Sequence, residues 1–104
     1  MKTLISSSGN SLDSSFDLRF GRAAWFCLLD EETRETRFYE NVNNETSHGA
    51  GTKAVEKVLQ LGATKVISGD FGPKAKELLE KFNIQMVLLS DDSKSIADIA
   101  DSIK

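Results

Sequence analysis

His48 is the chain's single histidine and opens the run His48-Gly49-Ala50-Gly51-Thr52, between a strand-like segment (residues 37–40) and a helix-like one (residues 53–61). An imidazole can ligate a metal, act as a general base, or sit in a loop as an ordinary polar residue. The glycines beside it suggest a second chemistry. Backbone N–H groups at a helix start point outward and carry partial positive charge, so a small-residue loop leading into a helix suits an anion. Three further loops have this character: Ser8-Gly9-Asn10, Phe20-Gly21-Arg22 and Ser68-Gly69-Asp70-Phe71-Gly72-Pro73. Gly9, Gly49, Gly51, Gly69 and Gly72 either offer N–H donors or simply permit turns. Arg22 can offset negative charge. Arg19 and Asp70 are polar contacts to the same site or ordinary surface charges.

Several other chemistries are excluded. Gly-Ala-Gly is not the dinucleotide fingerprint, and no Gly-Lys-Ser/Thr sequence supports a triphosphate loop. Cys27, the lone cysteine, lies inside Trp25-Phe26-Cys27-Leu28 and reads as a small buried hydrophobe. One cysteine allows neither an internal disulfide nor a zinc-spaced pair. Two-metal nucleases need clustered carboxylates, and the first strand-like run, Lys2-Thr3-Leu4-Ile5-Ser6-Ser7-Ser8, carries none. No Ser/His/Asp set or nucleophile elbow is legible. With a net charge of −3, and with Lys74-Ala75-Lys76 followed by Glu77 and Glu80, nothing forms the basic patch that nucleic acid needs. No 18-residue apolar run predicts a membrane span. The first ten residues are too weakly apolar for a secretory signal, so a cytoplasmic location is expected.

The elements that must position these loops follow from periodicity. At 104 residues the chain has room for one core, so residues 1–104 are read as a single domain. Residues 2–8 predict a first strand, followed by a long polar connection (residues 9–23) in which Phe16, Leu18 and Phe20 alternate and should pack down. Residues 23–29 are apolar without a break, as in a strand covered on both faces. The polar turn 30–35 and the strand 36–40 complete a hairpin, and residues 41–45 are turn-forming. Three helices show 3.6-residue spacing: Ala54, Val55, Val58, Leu59 and Gly62; Ala75, Leu78, Leu79 and Phe82 behind Pro73; and Ile96, Ile99, Ala100 and Ile103, capped by Asp92 or Ser93. Short strands at 65–68 and 84–89 separate them.

The resulting order, β-β-β-α-β-α-β-α, predicts an α/β fold: a mixed five-stranded sheet with helices on both faces and strand two its lone antiparallel member. The carboxyl ends of strands one, three and four then share one edge. Gly9, Arg22, His48, Gly49, Gly51 and Gly72 are expected there, where ligands of open α/β sheets bind at a reversal of strand order. The 30–35 turn falls at the opposite edge and is expected to be inert.

The chain resembles the dinitrogenase iron–molybdenum cofactor biosynthesis family. The resemblance runs over nearly the whole chain: Phe20-Gly21-Arg22-Ala23-Ala24-Trp25-Phe26, then His48-Gly49-Ala50-Gly51 before a helix, Ser68-Gly69-Asp70-Phe71-Gly72-Pro73-Lys74-Ala75, and Asn83-Ile84-Gln85-Met86. It implies a ribonuclease H-like three-layer α/β/α fold without nuclease activity. It also implies binding and delivery rather than catalysis: a carrier for an iron–sulfur or iron–molybdenum cluster or a related anionic group, with His48 as the metal ligand and metal-cluster assembly or acceptor proteins as partners. The family often has histidine immediately before Phe-Gly-Arg-Ala, where this chain has Arg19, which leaves His48 as the candidate soft ligand. The alternative is a metal-free interaction or regulatory module that uses the same edge.

Overall fold

A computed structural model describes residues 1–42 and 49–103. The chain forms β1 (Lys2–Ser7), β2 (Trp25–Asp30), β3 (Thr36–Glu40), α1 (Ala50–Leu61), β4 (Lys65–Ser68), α2 (Pro73–Lys81), β5 (Gln85–Leu88) and α3 (Ile96–Ser102), in that order. The strands make one five-stranded sheet, β3-β2-β1-β4-β5. β2 runs antiparallel to both β1 and β3, whereas β1–β4 and β4–β5 are parallel. β1, β3, β4 and β5 therefore all point their carboxyl ends at one edge.

Alternation along the strands builds two cores. Leu4, Phe26, Leu28 and Val66 face Ala54, Val55 and Val58 of α1 and Ala75 and Leu79 of α2. Their neighbours Ile5, Cys27, Leu29 and Ile67 face Ile96, Ile99 and Ala100 of α3. This explains the unbroken apolar run of β2, which is covered on both faces, and it makes the molecule a three-layer α/β structure. β2 begins two residues later than the apolar run predicts, at Trp25 rather than Ala23, because Ala23 and Ala24 belong to the loop entering the sheet.

The helix ends hold two corrections. Neither Asp92 nor Ser93 caps α3. Ser95 does, accepting from the Asp98 N–H at 3.1 Å while Asp98 Oδ2 accepts from the Ser95 N–H at 3.1 Å, a reciprocal capping box. Phe82 is no core residue either: it is the C-cap of α2 and 46% exposed. The 30–35 turn, at the opposite edge from the expected ligand site, has a structural role. Arg34, in the left-handed region at φ 64°, donates to the carbonyls of Ala100 and Ile103 at 2.9 Å each and so holds the end of α3.

Candidate functional site

The long connection after β1 is a strap across the carboxyl edge of the sheet. The Asp17 N–H donates to the Ser6 carbonyl, the Gly69 N–H to the Leu18 carbonyl and the Phe20 N–H to the Asp70 carbonyl, at 3.0 to 3.1 Å. Beneath it the hydroxyls of Ser6 and Ser68, both fully buried, lie 2.8 Å apart, and Ser6 also donates to the Asp17 carbonyl at 2.6 Å. The alternating Phe16 and Phe20 both pack down as expected, but on opposite sides: Phe16 enters the α3 core and Phe20 the α1–α2 core. The strap thus crosses from one face of the sheet to the other.

Its far end walls a cleft of about 520 Å³, shared with the first turns of α1 and α2. Phe20 and Phe71, with ring centroids 5.4 Å apart, form the apolar part. Arg22, Gly49, Gly51 and Gly72 come together here, with Arg19 and Asp70 beside them. Gly9 does not line the cleft. The strap lies over the end of β1, and Gly9 turns back against Ser14, whose Oγ would sit 2.5 Å from any added Cβ. His48 lies outside the described residues, one position before Gly49. The cleft opens beside two helix starts on the same face of the sheet, not at a crossing of helices to opposite faces as the strand-reversal rule suggested.

Backbone approach is close at Gly21 and Gly51. An added Cβ at Gly21 would stand 2.9 Å from the Gly51 nitrogen, and one at Gly51 would stand 3.3 Å from the Ala75 Cβ. The missing side chain at Gly21 lets the strap lie on the backbone of α1, and the one missing at Gly51 eases the approach of α1 to α2. Gly49 (φ 76°) and Gly72 (φ 73°) are the N-caps, and neither helix has a side-chain cap hydrogen bond or an acidic residue in its first turn. The N–H groups of the first turns, which a Ser or Asp cap would usually satisfy, are left without that partner in both helices.

Among the described residues, Arg19, Arg22 and Lys74 are the cations that line the cleft and Asp70 is the carboxylate. Asp70 Oδ1 accepts from the Gly72 N–H at 3.1 Å, so its charge already serves the entry to α2. The Arg19 guanidinium makes a two-point pair with Asp17 at 3.1 and 3.0 Å, and those hydrogen bonds and the carboxylate charge raise its pKa further above the ordinary arginine value. Among the described residues no group of three or more His, Cys, Asp or Glu side chains could hold a metal ion. Cys27 is fully buried in the α3 core, and desolvation pushes its thiol up to about 12, so it is neutral and remote from the cleft.

Sequence reasoning missed Asn41. It reads there as turn-forming, but it is buried, and its side-chain N–H₂ donates to the carbonyls of Gly21 at 3.0 Å and Ala23 at 2.8 Å. These carbonyls flank Arg22, so Asn41 sets the loop that carries it. Only the adjacency of Asn41 to the end of β3 signals this, and that needs the strand pairing. Lys74, read as part of a solvated helix face, also lines the cleft.

Fold and cleft together define a three-layer α/β protein whose strap and two helix starts enclose a glycine-lined, cation-rimmed cleft at the carboxyl edge of a mixed sheet. The family model for dinitrogenase iron-molybdenum cofactor matches residues 1–104, and the chain belongs to that family. It is similar to the apo form of the orange protein from Desulfovibrio gigas, with 29% identity and a TM-score of 0.89 over 96% of this chain and 83% of that one. It is also similar to a putative NifB protein from Thermotoga, with 26% identity and a TM-score of 0.83 over 97% of this chain and 84% of that one. A search of curated proteins finds no match.

Proposed function

We propose that this chain is a non-enzymatic carrier that holds an anionic metal–sulfur cargo, of iron–sulfur or iron–molybdenum type, in the cleft between the starts of α1 and α2. The observation that carries this reading is the convergence of two helix starts that lack side-chain caps, under a rim of Arg19, Arg22 and Lys74. Such an edge presents N–H donors and partial positive charge to one bound group. The described donor set suits a preformed anion, not a bare cation, since no thiolate or imidazole lines the cleft among the described residues. Inner-sphere ligation falls to His48, which precedes Gly49, while Arg22 offsets cargo charge.

The family supports the cargo class, and so does similarity to a protein solved in an apo form, a term for a protein without a group it binds. On this reading the fold is a ribonuclease H-like one used for binding, the protein acts in the cytoplasm, and its partners are cluster-assembly or acceptor proteins. Arg19, standing where the family often has histidine, favours the second reading, a metal-free interaction module on the same edge.

Anaerobic titration of the purified chain with a synthetic iron–sulfur cluster tests the proposal, read by visible absorbance and iron count after desalting. Near-stoichiometric retention, lost in His48→Ala and weakened in Arg22→Glu, is expected. No retention by the intact chain overturns the carrier reading in favour of the metal-free module. Unchanged retention in His48→Ala overturns the ligand role of that residue.

A further inference from the structure

We propose that the outer edge of β5 is a self-association surface, on which a second copy of this chain adds its own β5 antiparallel about a two-fold axis near Met86. The inference is independent of the cargo. β5 ends the sheet, and its described pairing is with β4 alone. The N–H groups of Gln85 and Leu89 donate inward, to the carbonyls of Thr64 and Ser68, at 3.0 Å each. Residues of that parity face β4, so the N–H and C=O groups of Met86 and Leu88 point outward, ready to pair with another strand.

Edge strands are commonly protected by charge, proline or a bulge. The opposite edge, β3, carries exposed Arg37 and Glu40. β5 lacks the charge and the proline: residues 82–90 contain neither a charged side chain nor a proline. Leu88, the last residue of β5, is 71% exposed, and Phe82, the C-cap of α2 three residues before the strand, is 46% exposed. Beside Leu88 lies a groove of about 550 Å³, walled by Phe71, Pro73, Lys76 and Met86.

The ends of the strand are complementary to each other, which selects a second copy as the occupant. Lys81 stands before β5, and Asp91 and Asp92 follow it. An antiparallel two-fold pairing centred on Met86 sets Met86 opposite its own copy and Ile84 opposite Leu88. The same operation lays the α2–β5 turn of each copy, with Lys81 at the end of α2 and Phe82 as its C-cap, beside the far end of β5 of the other, where Leu88 is exposed and Asp91 and Asp92 follow. An isologous contact needs such self-complementarity, with each unlike pair made twice.

Sedimentation velocity over a concentration series, with amide hydrogen exchange on the same samples, tests this. We expect a concentration-dependent dimer in which the Met86 and Leu88 amides exchange more slowly as dimer accumulates. Leu88→Lys, at a solvent-exposed position, should weaken dimerisation by about tenfold or more. Lys81→Glu should weaken it as well, and Lys81→Glu combined with Asp91→Lys should recover part of the loss. A chain that stays monomeric up to millimolar concentration overturns the proposal. So does a dimer that Leu88→Lys leaves unchanged, or one in which the Met86 and Leu88 amides gain no protection.

Discussion

Gly21 and Cys27 show how much a single position decides here. A methyl group at Gly21 would press on the backbone nitrogen of Gly51 at 2.9 Å, and backbone cannot swing aside as a side chain can. Gly21→Ala is therefore expected to lower unfolding stability by about 1–3 kcal/mol in urea titrations, and to weaken cargo retention by parting the strap from α1. Cys27 acts through its proton. Its folded pKa, about 12, is raised by desolvation well above that of an unfolded thiol. The neutral form is favoured in the fold, so this contribution is fully present below the unfolded pKa. It is lost as pH rises toward the folded value, because the unfolded chain then releases a proton that the folded chain keeps. Stability should fall by up to about 1.4 kcal/mol per pH unit above about pH 9 from this residue alone. Cys27→Ala should remove that slope in denaturation midpoints compared across pH, whatever it costs in packing. The residue types in the sequence were enough to read Cys27 as a core hydrophobe and to gather Arg22, Gly49, Gly51 and Gly72. They could not reject Gly9 or find Asn41, since both outcomes depend on where the strap crosses the sheet.

Among the elements, α3 is the one whose anchoring was least legible. It is short, from Ile96 to Ser102, and a helix of that length depends on its ends and its packing. Its apolar spacing was plain, but its start was misplaced, because Asp92 and Ser93 are as good cap types as Ser95. What separates them is the reciprocal partner Asp98, three residues beyond Ser95. Its far end is held by Arg34, sixty-nine positions before Ile103, and no local pattern reports such a contact. Arg34→Ala removes two hydrogen bonds from a charged donor and leaves the carbonyls of Ala100 and Ile103 without it. A loss of about 1–3 kcal/mol is expected, with faster amide exchange confined to α3 and the 30–35 turn. Ser95→Ala should cost about 0.5–2 kcal/mol through the lost cap and raise exchange at the opposite end of the helix.

Across the whole molecule, the strap joins fold and cleft. It fixes Phe16 in one core and Phe20 in the other, while its backbone bonds to the ends of β1 and β4. Phe20→Ala should cost about 3–5 kcal/mol, as for other buried aromatic truncations, and should loosen the cleft wall with it. The mixed five-stranded sheet and its lone antiparallel strand followed from the alternation of elements, because a parallel crossover needs a helix and a hairpin does not; the order of the strands across the sheet did not. Which helices share a face did not follow. α1 and α2 lie together because both return to strands on the same side of β1, and their starts consequently meet in one cleft.

The most direct measurement of the central claim is a nitrogen-15 spectrum of the anaerobic chain during titration with an iron–sulfur cluster. A carrier that seats its cargo on the two helix starts predicts that the amides of Gly51, Thr52, Lys74 and Ala75 broaden or shift first, while those of the 30–35 turn at the far edge do not move. Cluster binding that leaves these four amides unperturbed, or that perturbs the far edge instead, would contradict it.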